Sequence, residues 1–286
     1  MEKYTLTLRD RYDSNSIWAK NLLYKFSLNS QVTVNITNEF PHIPVKKHVK
    51  LIPFKINEKV FLIDEWDYGY PSTNLADYCV IPEYYLREKP TILKIQYHVS
   101  YKPSYDELYS KYGMLTYPFT MFPSQWFPLE YFKYNFDDKK YMFSFSGRRW
   151  KGRFRWLNEI IKMDNVYVCD QNDETNVYLD IMKNMRWGLC LQGKGAGGQN
   201  RREVEYSSLR LPLALNYKPT YAFDFVPNVD YIYLENPSDL YKLKDIDTKP
   251  FSERSYEIYQ KYFSNQGIFN CFIEAYTNTL QGKKII

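Results

Sequence analysis

The sequence predicts an α/β protein in which strands alternate with helices. In the second half, short apolar runs alternate with segments of helical periodicity, a spacing typical of a parallel sheet with helices on both faces. Seven of the eleven glycines lie between residues 147 and 198, where this pattern is most regular. The composition, 44% hydrophobic and 25% charged, excludes a disordered chain and a membrane-spanning one.

The first half is predicted to consist of short strands with few helices. Apolar and polar residues alternate at 4–8, which predicts a strand, and helical spacing of apolar residues begins after Ser16. Apolar runs predict further strands at 32–36, 59–63 and 91–95. Ten prolines between positions 41 and 128 limit any helices in this half to short pieces.

The second half is predicted to contain five strands, and a helix is expected after each of them except the fourth. The strands are expected at 141–145, 165–169, 187–191, 212–215 and 231–234. The residues from 251 onward have a helical, aromatic-rich pattern. A short polar stretch at 132–139 marks the expected boundary. The predicted organisation is an N-terminal unit (1–135), a second unit (136–250) and a helical segment (251–286) that packs back on the first unit.

The positive charge of the chain is concentrated in one segment. The net charge is +5, and five basic residues lie within residues 148–155, which contain no acid. The rest of the chain has equal numbers of acidic and basic residues. This distribution argues against a protein that coats nucleic acid and indicates a local anion-binding site.

The cysteines and the N-terminus suggest a reducing compartment. The four cysteines are far apart and form no CxxC pair, which argues against a zinc ribbon or a dense disulfide framework. The N-terminal residues lack the apolar core of a signal peptide, and no apolar run is long enough to span a bilayer. We therefore expect a cytoplasmic protein without a membrane span.

Two strand-to-helix connections in the second unit have the composition of anion-binding loops. Gly147, Arg148 and Arg149 follow the strand at 141–145, and Arg153 lies in the helix beyond them. Free backbone N–H groups and the positive end of a helix dipole favour phosphate at such a turn, and arginine adds bidentate contacts.

The second connection is rich in glycine. It contains Gly193, Lys194 and Gly195, and it ends at Asn200 and Arg201, followed by Arg202. Small residues allow a close approach of the backbone to a ligand, and either arginine could neutralise a diphosphate. Glu203 and Glu205 lie in the first turns of the next helix, where a carboxylate could accept hydrogen bonds from ribose hydroxyls.

Two other functions are compatible with parts of this pattern. Glycines 193, 195 and 198 have the GxGxxG spacing of an NAD-dependent Rossmann oxidoreductase, but the acid expected about 20 residues later is missing. The basic segment 148–155 contains aromatic residues, as a nucleic-acid-binding module would. The helical spacing of those aromatics and the neutrality of the remaining chain disfavour that reading.

Two segments of the second unit carry a resemblance to a known family. The run 182–193 (MKNMRWGLCLQG) ends at a glycine after a strand, and the run 200–212 (NRREVEYSSLRLP) has Glu205 seven residues before its proline. Together they resemble the donor-binding half of exostosin-like GT-B glycosyltransferases, which occur in large DNA viruses such as chloroviruses and include a xylosyltransferase there. The resemblance covers roughly residues 140 to 240. Arg210 departs from it, since the usual pattern has a glycine there.

The resemblance implies a GT-B-like fold, with two Rossmann-like domains and a cleft between them. It implies an inverting enzyme that transfers a sugar, such as xylose, from a UDP- or GDP-linked nucleotide sugar, with UDP favoured, to a hydroxyl of a glycan acceptor. No metal is implied, and for a viral protein the compartment would be the host cytoplasm. Carried over by position, Glu205 would hold the ribose. Gly147, Arg148, Arg201 and the backbone of 193–200 would hold the diphosphate.

The catalytic base of such a transfer is expected in the first unit. An inverting transfer needs a group that removes the proton from the acceptor hydroxyl. Asp64 and Asp67 follow the strand at 59–63, and we favour Asp64 because it is nearer the strand end. Aromatic and polar residues near strand ends are the expected acceptor-binding side chains: Trp66, Tyr68, Tyr70 and His98.

Overall fold

The structure is a computed structural model with Rossmann-like sheets, the first mostly parallel and the second parallel, and the predicted α/β class is confirmed. The structure describes residues 3–10, 17–44, 51–65, 81–95, 102–119, 139–146, 151–169, 175–192 and 200–283. No helix in these ranges is both long enough and apolar enough to cross a membrane.

The first unit contains a six-stranded sheet. Its strands are β1 (Tyr4–Arg9), β2 (Val32–Thr37), β3 (Leu51–Ile56), β4 (Lys59–Asp64), β5 (Thr91–Ile95) and β6 (Thr116–Phe119), in the order β2-β1-β3-β4-β5-β6. Its helices are α1 (Ile17–Ser27), α2 (Glu83–Glu88) and α3 (Lys102–Tyr112). Among the described strands, only β3 is antiparallel to its neighbours, so the carboxyl ends of β4, β5 and β6 lie at the same end of the sheet.

The strand β3 was not predicted, because it contains Pro53. Proline lacks an N–H and is rare in central strands. The sheet accommodates it because β1 pairs only with residues 54–56 of β3, so that Pro53 lies outside that ladder. Asn57, with a φ of 50°, then turns the chain from β3 into β4.

The second unit contains five parallel strands. They are β7 (Phe143–Ser146), β8 (Val166–Cys169), β9 (Gly188–Cys190), β10 (Leu213–Leu215) and β11 (Ile232–Tyr233). The pair β7-β8 and the three strands β11-β10-β9 are joined where the backbone N–H of Trp187 donates to the carbonyl of Met142 at 2.9 Å. The resulting order is β8-β7-β9-β10-β11. The strand β8 therefore lies on one side of β7, and β9, the next strand along the chain, lies on the other.

Helices cover this sheet and continue to the C-terminal segment. They are α4 (Phe154–Ile160), α5 (Thr175–Lys183), α6 (Arg201–Ser208), α7 (Lys249–Ile258) and α8 (Asn265–Leu280). A 3-10 turn at Lys151–Arg153 precedes α4, a 3-10 helix at Pro237–Asp245 precedes α7, and a π-helical turn at Tyr259–Phe263 joins α7 to α8. Trp156 of α4 is buried in the core, which removes it as a surface ring for stacking nucleic-acid bases.

Helix α8 packs on the sheet of the first unit. Phe272 of α8 contacts the rings of Phe26, Phe54 and Phe119, with centroid separations of 4.8, 5.6 and 4.7 Å. The hydroxyl of Thr279 lies 3.0 Å from that of Thr91 in β5. The boundaries at 135 and 250 stay predictions.

The backbone positions of Gly188 and Arg210, both near α6, restrict which residues fit there. Gly188 of β9 lies against Tyr206 of α6, and a Cβ at this position would lie 2.5 Å from the Tyr206 ring. Arg210, which departs from the family pattern, has a φ of 59°, in the left-handed region that favours glycine. Its guanidinium lies 4.0 Å from the centroid of Tyr256 in α7, a cation–π contact that helps to offset the strain.

Candidate functional site

Five of the predicted site residues lie in the described part of the chain. They are Asp64, Arg153, Asn200, Arg201 and Glu205. The others fall outside the described residues: Asp67, Gly147, Arg148, Arg149, Gly193, Lys194, Gly195, Trp66, Tyr68, Tyr70 and His98.

Arg153 connects the ends of two neighbouring strands. It lies in the turn before α4, and its guanidinium donates hydrogen bonds to the carbonyls of Leu191 and Gln192, at 2.9 and 3.0 Å. These carbonyls directly follow β9, whereas the turn itself comes after β7. Burial and the positive charge of Arg202 lower the pKa of Arg153 to about 10.

The N-terminus of α6 is closed by a capping box. The side-chain oxygen of Asn200 accepts from the N–H of Arg202 at 3.1 Å, and the Glu203 carboxylate accepts from the N–H of Asn200 at 2.8 Å. This reciprocal pair fixes where the helix begins. It also places Arg201 and Arg202 in the first turn, at the positive end of the helix dipole. We call Arg153, Arg201 and Arg202 the arginine edge.

Glu205 orients Arg201. The buried Glu205 carboxylate lies 3.2 Å from Nε of Arg201 and accepts from the hydroxyl of Tyr178 at 3.2 Å. The side chain of Arg201 keeps 39% of its surface exposed. The ion pair therefore holds a partly exposed guanidinium in one orientation, as recognition of an anion requires. The contact of Glu205 with a ribose stays a prediction.

Glu203 has an environment that the sequence did not predict. Its carboxylate is fully buried and accepts hydrogen bonds from the hydroxyls of Tyr217 and Tyr221, in addition to the N–H of Asn200. Burial raises the pKa of Glu203 to about 8, although these three hydrogen bonds act in the opposite direction. The two tyrosines follow β10, so Glu203 ties α6 to the loop beyond that strand.

The raised pKa of Glu203 predicts a pH-dependent stability. The carboxyl ionises near 4.5 in the unfolded chain and near 8 in the folded chain. Its contribution is therefore fully present below pH 4.5 and is lost as the pH rises through 8. We expect the free energy of unfolding to decrease by a few kcal/mol across this range, and we expect Glu203→Gln to reduce the slope.

Urea titrations at pH 5, 6.5 and 8 measure this effect. Glu253→Gln, at an exposed position of α7, is the matched control and should keep the slope of the unmodified protein. An equal slope in Glu203→Gln and in the control would contradict the assignment to Glu203.

Asp64 is buried at the carboxyl end of β4, a central strand of the first sheet. It is the last residue of β4 and lies opposite Lys94 of β5, with 3.4 Å between its Oδ1 and the lysine Nζ. Both side chains are fully buried. The next residue, Glu65, accepts a hydrogen bond from the backbone N–H of Ala19 in α1. Lys94 was visible in the sequence as a single lysine within an apolar strand. The catalytic role of Asp64 stays a prediction.

Comparisons with known proteins give distant structural matches. No protein-family model and no curated protein matches the sequence. Three similar solved structures are the GtfA/B complex (TM-score 0.43, 11% identity), TarM (0.41, 12%) and the pneumococcal O-GlcNAc transferase GtfA in complex with UDP and GlcNAc (0.39, 13%).

The matches cover 76%, 64% and 75% of this chain, in the same order, and 52%, 43% and 51% of the other chains. This chain thus spans about half the length of the structures that it matches.

Proposed function

We propose that this protein is a glycosyltransferase that binds a nucleotide sugar at the arginine edge. The observation that carries the proposal is that Arg153 donates hydrogen bonds to the carbonyls that follow β9, while Arg201 and Arg202 lie in the first turn of α6, whose N-terminus is fixed by the capping box. In open parallel sheets, ligands bind beyond the carboxyl ends of strands, at the point where the strand order reverses. In the order β8-β7-β9, that point lies beside β7.

The arginine edge suits a leaving group that carries negative charge. When a sugar is transferred, the bond between its anomeric carbon and the diphosphate breaks, and the diphosphate gains negative charge. Fixed guanidinium groups and a helix N-terminus stabilise this charge without rearrangement. The proposed reaction accordingly needs no metal ion, because the arginines neutralise the nucleoside diphosphate.

The finer proposal is an exostosin-like, inverting transfer of xylose from a UDP-sugar to a glycan hydroxyl. Asp64 or Asp67 would accept the proton of the acceptor hydroxyl as its oxygen attacks the anomeric carbon. The resemblance of the runs 182–193 and 200–212 to the pattern of that family supports this proposal. A screen of UDP- and GDP-sugars for donor hydrolysis identifies the transferred sugar and the nucleobase of the donor.

Binding of UDP tests the proposed function directly. We expect UDP to bind, and we expect Arg201→Ala to raise its Kd about tenfold or more, since a hydrogen bond between charged partners contributes about 1.5–3 kcal/mol. Isothermal titration calorimetry measures the change. Arg155→Ala is the matched control, because this exposed arginine of α4 lies outside the arginine edge.

Two results would contradict the proposal. The first is that neither UDP nor GDP binds. The second is that Arg155→Ala weakens binding as much as Arg201→Ala. Binding of NADH in place of UDP would favour the oxidoreductase alternative.

A further inference from the structure

Two carboxyl groups of α6 lie in different electrostatic surroundings. Glu203 and Glu205 are both buried in the first turns of the helix. Glu205 forms an ion pair with Arg201. Glu203 instead accepts from the uncharged hydroxyls of Tyr217 and Tyr221 and from a backbone N–H, and within the described part of the chain no lysine or arginine is paired with it. A buried carboxyl group without a cation beside it favours its neutral form.

The hydrogen bonds of Glu203 also fit a neutral carboxylic acid. Its Oε1 accepts from the N–H of Asn200 and from the hydroxyl of Tyr217, whereas its Oε2 faces the hydroxyl of Tyr221. A protonated carboxyl group has one carbonyl oxygen, which accepts two hydrogen bonds, and one O–H group, which donates one. Oε1 therefore keeps both of its donors when Oε2 carries the proton and donates to the phenol oxygen of Tyr221. The neutral form preserves the capping box and with it the position of the first turn.

Glu203 is the group of this cluster that changes its charge near neutral pH. The titratable side chains that interact with it are Cys190 of β9, Tyr217 and Tyr221 after β10, and Tyr231 before β11. Burial raises the pKa of each of these four groups, so all of them stay neutral while Glu203 titrates. On α6 itself, Arg202 keeps its positive charge.

We propose that Glu203 is a positioning residue for the nucleotide, which holds the first turn of α6 as a neutral acid and takes up a proton when a diphosphate binds at the arginine edge. The proton comes from solvent and binds to Oε2, and no other covalent bond changes. An ionised Glu203 would repel the diphosphate and offset the charge of Arg201 and Arg202 in the same turn. The bound diphosphate in turn favours the neutral carboxyl, as one anion does to another nearby. This inference rests on the proposed function.

Calorimetry of UDP binding in buffers with different heats of ionisation counts the protons taken up. Burial raises the pKa of Glu203 to about 8, so about half of these carboxyl groups are ionised at pH 8 in the free protein. We therefore expect an uptake of up to about 0.5 proton per UDP at pH 8, and close to none at pH 7. The Kd of UDP should rise about five- to tenfold from pH 7 to pH 9. UDP itself contributes little, since its last phosphate proton is lost at a pKa of about 6.

Three variants separate the charge of Glu203 from its role in folding. Glu203→Gln carries an amide that keeps neutral hydrogen bonds at every pH, so we expect no proton uptake and a Kd that is constant from pH 7 to pH 9. Glu203→Ala removes half of the capping box and should weaken UDP binding about fivefold or more at pH 7. Glu253→Gln, at an exposed position of α7, is the matched control and should keep the proton uptake of the unmodified protein.

The possible results distinguish this inference from the proposed function. UDP binding without proton uptake at pH 8, or an equal uptake in Glu203→Gln, would overturn the role of Glu203 and leave the proposed function intact. A folded Glu203→Ala variant that binds UDP as well as the unmodified protein would also overturn it. If neither UDP nor GDP binds, both the inference and the proposed function are rejected. The comparison with Glu203→Gln decides the matter even where Glu203→Ala does not fold.

Discussion

Replacing Phe272 with alanine is expected to lower the free energy of unfolding by about 3–5 kcal/mol, a typical cost for deleting a buried phenylalanine side chain. Phe272 is fully buried and contacts rings from α1, β3 and β6 at once. The substitution would leave a cavity between α8 and the first sheet. The large effect is expected because three separate elements meet at this one side chain.

Urea unfolding followed by circular dichroism measures the loss. Leu280→Ala is the matched control, since this residue belongs to the same helix and is 62% exposed. We expect the control to change stability by less than about 0.5 kcal/mol. Similar losses in both variants would show that α8 contributes through its helix alone and not through Phe272.

Replacing Lys94 with methionine is expected to cost about 3–5 kcal/mol, because it removes one charge of a fully buried ion pair and leaves the Asp64 carboxylate buried without the Lys94 ammonium. The two side chains are fully buried and lie 3.4 Å apart. The double variant Asp64→Leu, Lys94→Met removes both charges and should be more stable than Lys94→Met alone. Chemical denaturation of the two single variants and the double variant measures the coupling.

Additive effects of the two substitutions would show that Asp64 and Lys94 stabilise the fold independently.

The same variants also test whether Asp64 is the catalytic base. If Asp64 is the base of the proposed transfer, the double variant will be folded and will lack transferase activity. A folded and active double variant would leave Asp67 as the remaining candidate.

Two strands of the second sheet, β9 and β10, were predictable from the sequence because they are fully buried. A strand covered on both faces is apolar throughout, so these two runs were visible without knowledge of their partners. In the first unit the same reasoning failed at β3. Its Pro53 is tolerated only because β1 pairs with part of that strand, which is a property of the assembled sheet.

The charged residues show what sequence reasoning can and cannot locate. The positive charge and the glycine loop indicated an anion site, and the structure brings Arg153 to the carbonyls that follow β9. The hydrogen bonds of Glu203 with Tyr217 and Tyr221 were not predicted from the sequence. Both tyrosines follow a different strand and approach the carboxylate only in the folded protein. The burial of Glu203 depends on contacts with residues distant in sequence, and no local pattern records it.

The packing of α8 determines when the first unit can complete its core during synthesis. Tyr4 in β1 contacts the rings of Phe269 and Tyr276, and almost the whole of the sequence lies between these partners. The strands that leave the ribosome first must therefore wait, with one face open, until the helix made much later is released. Contacts between residues so distant in sequence form slowly, and an open apolar face favours aggregation. This protein is thus expected to need chaperone protection mainly for its earliest-made part.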